Sequence, residues 1–230
     1  MKKVLFMLLA VTAFTCGKAQ DSVEASLGTD IVSSYIWRGT NLGDASIQPT
    51  LGIAFKGISL SAWGSVGITN PADTKEFDIT LGYSAGGFNV GVTDYWFGED
   101  RYFNYSAADS TTHIWEANIG YDFGYLNIQW YTNIGGDDGV TSKGDRAYSS
   151  YVQLSAPFSA GGLDWTASVG MVPFETSFYE TSGFAVTQVG LRATKTLTLG
   201  DKFELPIFAD VIANPRSEKV FFCFGTTISL

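Results

Sequence analysis

The chain has 230 residues, of which 45% are hydrophobic and 15% aromatic. Only 16% are charged, against about 25% in an ordinary soluble domain. The net charge is −9 and Lys and Arg form no cluster, which excludes nucleic acid as a partner, since that requires a basic face.

The first stretch, MKKVLFMLLAVTAFTCGKAQ, has a basic start, an apolar run from Val4 to Thr15 and small residues before Gln20. This is the pattern of a secretory signal peptide over 1–19, with cleavage after Ala19 and the mature domain over 20–230. A membrane anchor needs roughly 20 apolar residues and finds about twelve. Cys16 raises a lipoprotein site, but Ala13-Phe14-Thr15 is a poor match to the small residues expected before one. Loss of Lys2, Lys3 and Lys18 takes the net charge to −12 and leaves Cys223 as the lone thiol, so no internal disulfide forms.

The remainder alternates. Segments of period two run at about 23–38, 45–56, 57–69, 76–85, 87–97 and 111–123, then 125–134, 147–158, 162–172, 184–197, 203–213 and 219–230. In FDITLGYSAGGFNVGVTDYWF, Phe77, Ile79, Leu81 and Tyr83 share one parity and Asp78, Thr80, Gly82 and Ser84 the other; after Gly86-Gly87 the alternation resumes with Phe88, Val90 and Val92. That is a hairpin with one apolar face. No segment after residue 20 has helical periodicity or 18 consecutive apolar residues.

The connections are alternately long and short. GTNLGDA (39–45), NPADTK (70–75), GEDRYFNYSAADS (98–110), GGDDGVTSKGDR (135–146), PFETSFYETSG (173–183) and NPRSEK (214–219) are the long ones. Between them lie short turns at Lys56-Gly57, Gly86, Gly124, Ala160-Gly161 and 198–201. Strands running up and down then gather every long loop at one end. Sorted loops, an even strand number and segments of roughly 10 to 16 residues, long enough for the roughly 9 to 11 that cross the hydrocarbon layer, predict an all-β fold: an antiparallel transmembrane β-barrel of about twelve strands. In lipid only a helix or a closed barrel pairs every backbone group. Such a barrel belongs in the outer membrane of a Gram-negative bacterium, with membrane lipid as its first partner.

Ile58, Leu60 and Val66, Leu126, Ile128 and Trp130, Leu163, Trp165 and Val169, and Ile207 and Val211 are the lipid-facing set. Aromatics at the strand ends form the two interfacial girdles: Tyr35, Trp37, Trp96 and Trp115 near the long loops, Phe123 and Phe158 near the short turns. The last segment, KVFFCFGTTISL, alternates to Leu230, closes the ring against the first strand and is the part a barrel-assembly machinery would read.

The run TDIVSSYIWRGTNLGDASIQPTLG, through Ser33, Tyr35, Arg38, Gly39, Gln48 and Pro49, resembles the start of the TorF-type porin family of bacteria. YSAGGFNVGVTDYW and SAPFSAGGLDWTASVG resemble the same family, so the likeness spans most of the mature chain. It implies an outer-membrane channel, with no substrate and no catalytic residues to carry over.

The inward parity gathers acids: Glu24, Asp30, Glu76, Asp78, Glu116, Asp122, Asp164, Glu204 and Asp210. Opposing them are chiefly Arg38, Lys56 and Arg192. Glu76, Asp78, Glu116, Asp122, Asp164, Asp210, Arg38 and Arg192 are the candidate lumen residues, and their excess of carboxylate favours cations. Nine glycines share that parity, read as relief of curvature or as open space for a solute. His113 is the lone histidine and shares the outward parity of Trp115; with no serine motif beside it the chain reads as no enzyme, and no cofactor or metal site is expected. Asp137-Asp138 with Asp145 read as a solvated acidic loop rather than a Ca²⁺ site. The expected function is a narrow channel for small ions or polar solutes. The competing one is a structural or adhesive barrel whose lumen is plugged and which acts through its long loops.

Overall fold

A computed structural model describes residues 22–98, 101–105, 111–200 and 203–229; the expected signal peptide, with Cys16, lies outside them. The strands are β1 (Glu24–Val32), β2 (Tyr35–Trp37), β3 (Thr40–Gly43), β4 (Ser46–Phe55), β5 (Ile58–Gly67), β6 (Glu76–Ala85), β7 (Phe88–Phe97), β8 (His113–Asp122), β9 (Asn127–Gly136), β10 (Ser150–Ala160), β11 (Leu163–Val172), β12 (Ala185–Leu199), β13 (Phe203–Asn214) and β14 (Lys219–Ser229). Twelve of them close into one antiparallel barrel in chain order, with β14 returning to β1. Thr29 lies opposite Ile228 at that seam and opposite Pro49 on β4. Closure removes both sheet edges, so every wall strand has two neighbours.

Alternation along the strands sorts the two faces. Leu51, Ile58, Leu60, Leu81, Val92, Ile119, Val211 and Phe222 stand exposed on the outside, while Gln48, Ser65, Thr93, Asn118, Gln129 and Thr166 are buried within. An inside that is polar and an outside that is bare and apolar inverts the soluble pattern and defines a transmembrane barrel.

Most strand ends fall within a few residues of the sequence reading, and the first segment departs furthest. The first alternating segment leaves the wall at Val32 rather than at residue 38. At the bend, the amide of Ser33 donates to the Phe224 carbonyl (2.8 Å) and the Phe224 amide to Ser33 Oγ (3.0 Å). This completes the β1–β14 ladder and turns the chain inward. β2 and β3 then form a separate two-stranded hairpin. Its turn is Arg38-Gly39, with φ of 48° and 80°, a doubly left-handed turn of the kind that matches strand twist. The last long connection is also shorter than expected, since only residues 215–218 separate β13 from β14.

Candidate functional site in the barrel lumen

The hairpin β2–β3 lies inside the barrel. Ile36 packs with Val32, Phe208, Ile212 and Cys223 in a small apolar cluster against the β13–β14 wall. Gly39 meets β12: a Cβ there would stand 1.9 Å from the Thr187 carbonyl oxygen, so only glycine fits. Asn214 donates to the Gly39 carbonyl (3.0 Å). On the return strand, the Asp44 amide donates to Asp73 Oδ2 (2.9 Å) and the Thr74 amide to the Leu42 carbonyl (3.2 Å). Both arms are therefore tied to the wall or to the β5–β6 loop.

Arg38 crosses to the far wall. Its guanidinium donates to both oxygens of Glu116 on β8 (2.6 and 2.8 Å) and to the Tyr179 hydroxyl in the β11–β12 loop. β8 stands five strands from β1 one way round the ring and seven the other, so this one side chain bridges the lumen. The same guanidinium lies 4.4 Å from the ring centres of Trp37 and Tyr131 and 4.6 Å from that of Tyr151. Tyr95 donates to Glu116 Oε1 (2.9 Å). A buried arginine is tolerable only when its charge is paired and its donors are met, and flat aromatic faces add cation–π attraction. Tyr151 fits here because Gly170 opposite has no side chain; a Cβ on it would stand 1.7 Å from the Tyr151 hydroxyl. Gly225 makes the same room for Phe208. These inward glycines therefore make space for neighbouring side chains, a third use beside curvature and open lumen.

The expected lumen residues divide into four groups. Glu116 and Arg38 form the bridge just described. Arg192 and Asp210 form a second bidentate pair (2.7 and 2.7 Å), with the guanidinium 4.2 Å over Phe208. Glu76 and Asp78 are buried on β6; Glu76 accepts from the Tyr35 hydroxyl (2.6 Å), and Asp78 Oδ1 has no hydrogen-bond partner. Asp122 and Asp164 are not brought to these pairs. They lie at the short-turn mouth, where Asp122 accepts from the Gly124 amide (2.7 Å) and Asp164 from Ser159 (2.8 Å).

Two girdle expectations are corrected. Tyr35 and Trp37 are not at the lipid interface: Tyr35 is buried against Trp63 and Glu76, and Trp37 packs against Tyr95, Phe178 and Tyr179 inside the barrel. The inward bend at Ser33 carries both off the wall. Trp96, Trp115, Phe123 and Phe158 stay on wall strands or their ends, and all but Trp96 are exposed. The sequence reading missed Tyr95 and Tyr179, whose roles depend on partners distant along the chain; the inward parity of Tyr95 with Thr93 was the available signal.

Residues 101–105, after β7, turn the other way. Tyr102 and Tyr105 pack over His113, at 5.2 and 4.2 Å between ring centres, and Tyr102 also touches Phe77 and Trp96 on the outer face. His113 is buried by them, with Nδ1 2.8 Å from Asp94 and Nε2 2.6 Å from the Tyr102 carbonyl. Since a carbonyl only accepts, Nε2 carries a proton. Both ring nitrogens are occupied by these contacts and neither meets a serine. Asp138 is likewise engaged, by Asn133 (3.0 Å) and by the amides of Gly139 (2.7 Å) and Ser149 (3.2 Å), so it orders its loop.

Around the hairpin lie spaces of about 70 and 40 Å³. Gln153, Thr166, Ser168, Gln188 and the Arg192–Asp210 pair line the larger one. Each has room for several waters by the usual measure of roughly 10–15 Å³ apiece.

No known protein family matches the chain, and no curated protein does so either. The TorF-type resemblance is therefore not confirmed. Among solved structures, the chain is similar to an outer membrane channel from Pseudomonas putida F1, at 11% identity and TM-score 0.42, covering 96% of this chain and 99% of that one. It is also similar to OmpF of Salmonella typhi, solved in complex with daunomycin, at 9% identity and TM-score 0.38, covering 90% and 97%. Likenesses at this level carry no functional argument; the closed ring of strands establishes the fold.

Proposed function

We propose that this protein is a narrow, cation-preferring channel of a Gram-negative outer membrane, of the TorF type, that passes small ions and small polar solutes. The observation that carries the reading is the lumen itself. It holds arginine–carboxylate pairs and polar groups around the hairpin, with water-sized spaces between them, in a barrel that could have been filled with apolar side chains had closure been its only task. Twelve strands lie between the eight of a side-chain-filled barrel and the sixteen of a wide aqueous pore. The hairpin narrows what the strand count allows.

Charge supports the cation preference. Among the described residues, the buried or half-buried inward acids are Asp30, Glu76, Asp78, Glu116, Asp164 and Asp210, facing Arg38 and Arg192. The two bidentate pairs neutralise Glu116 and Asp210. Glu76, Asp78, Asp30 and Asp164 have no arginine hydrogen-bonded to them and make up the excess of carboxyl groups inside, and Glu24, Asp122 and Glu204 lie exposed toward the short-turn mouth. A low-dielectric wall screens such charges poorly. The C-terminal strand β14, which completes the ring against β1, is the segment through which the barrel-assembly machinery would act, after removal of residues 1–19.

Residues 20–230, refolded into a planar bilayer, should give small steps in single-channel recordings. In a salt gradient the reversal potential should have the sign of cation selectivity. Glu76→Gln with Asp78→Asn should reduce that potential without disturbing either arginine pair. Absence of conductance from every preparation that shows heat-modifiable gel mobility would overturn the channel and leave the plugged barrel; anion selectivity would assign the constriction to Arg38 and Arg192.

A further inference from the structure

The surroundings of Arg38 belong almost wholly to other elements. Glu116 comes from β8, Tyr95 from β7, Tyr131 from β9, Tyr151 from β10 and Tyr179 from the β11–β12 loop; of its neighbours only Trp37 rides on the hairpin. These groups are also held among themselves. Tyr131 and Tyr151 stand 6.3 Å apart between ring centres, Tyr151 and Tyr179 5.9 Å, and the Tyr95 hydroxyl holds the Glu116 carboxylate. A carboxylate facing the fork of a guanidinium, with aromatic rings against its surface and a phenol oxygen at its edge, is a full recognition set for a planar organic cation.

The hairpin does not depend on this arrangement for attachment. Ile36 is seated in its apolar cluster, Tyr35 is bonded to Glu76, Asn214 holds the Gly39 carbonyl and Asp73 holds the return strand. An arginine serving only as an anchor would need one carboxylate. Here the far wall supplies three tyrosines and an acid around a cation delivered from the opposite side.

We propose that this wall carries a binding site for planar organic cations, guanidinium-bearing solutes above all, and that Arg38 is its built-in occupant. A guanidinium solute entering the lumen competes with the hairpin for Glu116 and the tyrosine faces, and displacement of Arg38 widens the passage. The idea rests on the channel reading only for the route by which solute arrives; binding is independent of conduction.

The test uses the Arg38→Ala protein in detergent micelles, titrated calorimetrically with methylguanidinium chloride, with NaCl and methylammonium chloride as controls at equal ionic strength. Saturable binding with Kd on the order of 1 mM is expected for methylguanidinium, a strength in keeping with one charge-assisted pair and a few cation–π contacts. Wild type, with the site filled, should bind at least about tenfold more weakly, and Glu116→Gln added to Arg38→Ala should weaken binding by about tenfold or more. If Arg38→Ala does not fold alone, methylguanidinium and not NaCl should restore its heat-modifiable gel mobility. Equal responses to all three salts, indifference to Glu116→Gln, or failure of rescue overturn the site. Methylguanidinium binding in a protein that never conducts would overturn the channel and keep the site; a conducting Arg38→Ala pore that methylguanidinium neither binds nor blocks would do the reverse.

Discussion

Two segments rich in aromatic residues at the same end of the barrel go opposite ways. Residues 33–45 fold into the lumen, where Trp37 and Arg38 meet Tyr95, Glu116 and Tyr179. Residues 101–105 fold outward, where Tyr102 and Tyr105 meet Phe77, Trp96, His113 and Trp115. Hydrophobicity does not distinguish them, since each carries bulky rings. The difference lies in the polar group each must satisfy. Arg38 has a buried carboxylate waiting on the inner parity of β8, whereas Tyr102 has a ring nitrogen waiting on the outer parity of the same strand. Strand parity at the receiving wall thus decides the direction in which a loop folds.

The largest effect comes from breaking the inward arrangement at its charge. Glu116→Ala strands the Arg38 guanidinium, which is 8% exposed, and removal of one partner of a buried pair costs roughly 3–5 kcal/mol. Urea unfolding of vesicle-inserted protein should show a loss in that range, with larger and noisier conductance steps as the hairpin loses its far contact. Unchanged stability and conductance would mean that the bridge is not formed in the membrane.

The outward side is sharpened by Ile128, which is 36% exposed on β9 between Leu126 and Trp130. Ile128→Arg should cost about 2–4 kcal/mol if it faces the bilayer midplane, with Asn127→Arg, on the inner parity, much milder. Equal penalties would invert the assignment of faces on which the comparison rests.

Gly39→Ala tests the hairpin's seat rather than its charge. Its φ of 80° and the closeness of the Thr187 carbonyl leave no place for a methyl group, and strain of this kind costs about 1–3 kcal/mol. Because the tip can lift while the wall stays intact, the expected change is mainly an increase in conductance, measured alongside an unfolding midpoint that moves only modestly.

Strand number, loop sorting and the two faces were legible because period two repeats in every wall strand, and lipid and lumen each impose it. The acids at Glu76, Asp78, Glu116 and Asp210 followed from the same parity. The departure of residues 33–38 was not legible. Tyr35 and Trp37 continue the alternation of β1, and the partners that hold this segment off the wall lie far along the chain, Glu76 41 residues from Tyr35 and Asn214 175 residues from Gly39. Ser33-Ser34 and Arg38-Gly39 carried the local signal, a pair of small hydroxyl residues and a turn that needs glycine, yet both also suit the rim of an ordinary strand. Asp122 and Asp164 show the converse limit: parity gave their face but not their height, and height puts them at the mouth.

The smallest effect is expected on the outward loop. His113→Ala removes the contacts to Asp94 and to the Tyr102 carbonyl together with the ring under Tyr105. Asp94 is 21% exposed and gains water in compensation, so only the carbonyl is left poorly satisfied, at about 1–2 kcal/mol. Among the described residues, the ring and hydrogen-bond partners of the His113 side chain, Asp94, Tyr102 and Tyr105, are all off the inner parity. Trypsin should therefore cut faster at Arg101, the basic residue next to Tyr102, while unfolding shifts slightly and single-channel steps match wild type. A conductance change as large as that of Glu116→Ala would show that the 101–105 segment also reaches the lumen, and the contrast between the two loops would fall. Faster cleavage with unaltered steps would place the segment outside the conduction path, where lipid headgroups rather than solute are its neighbours.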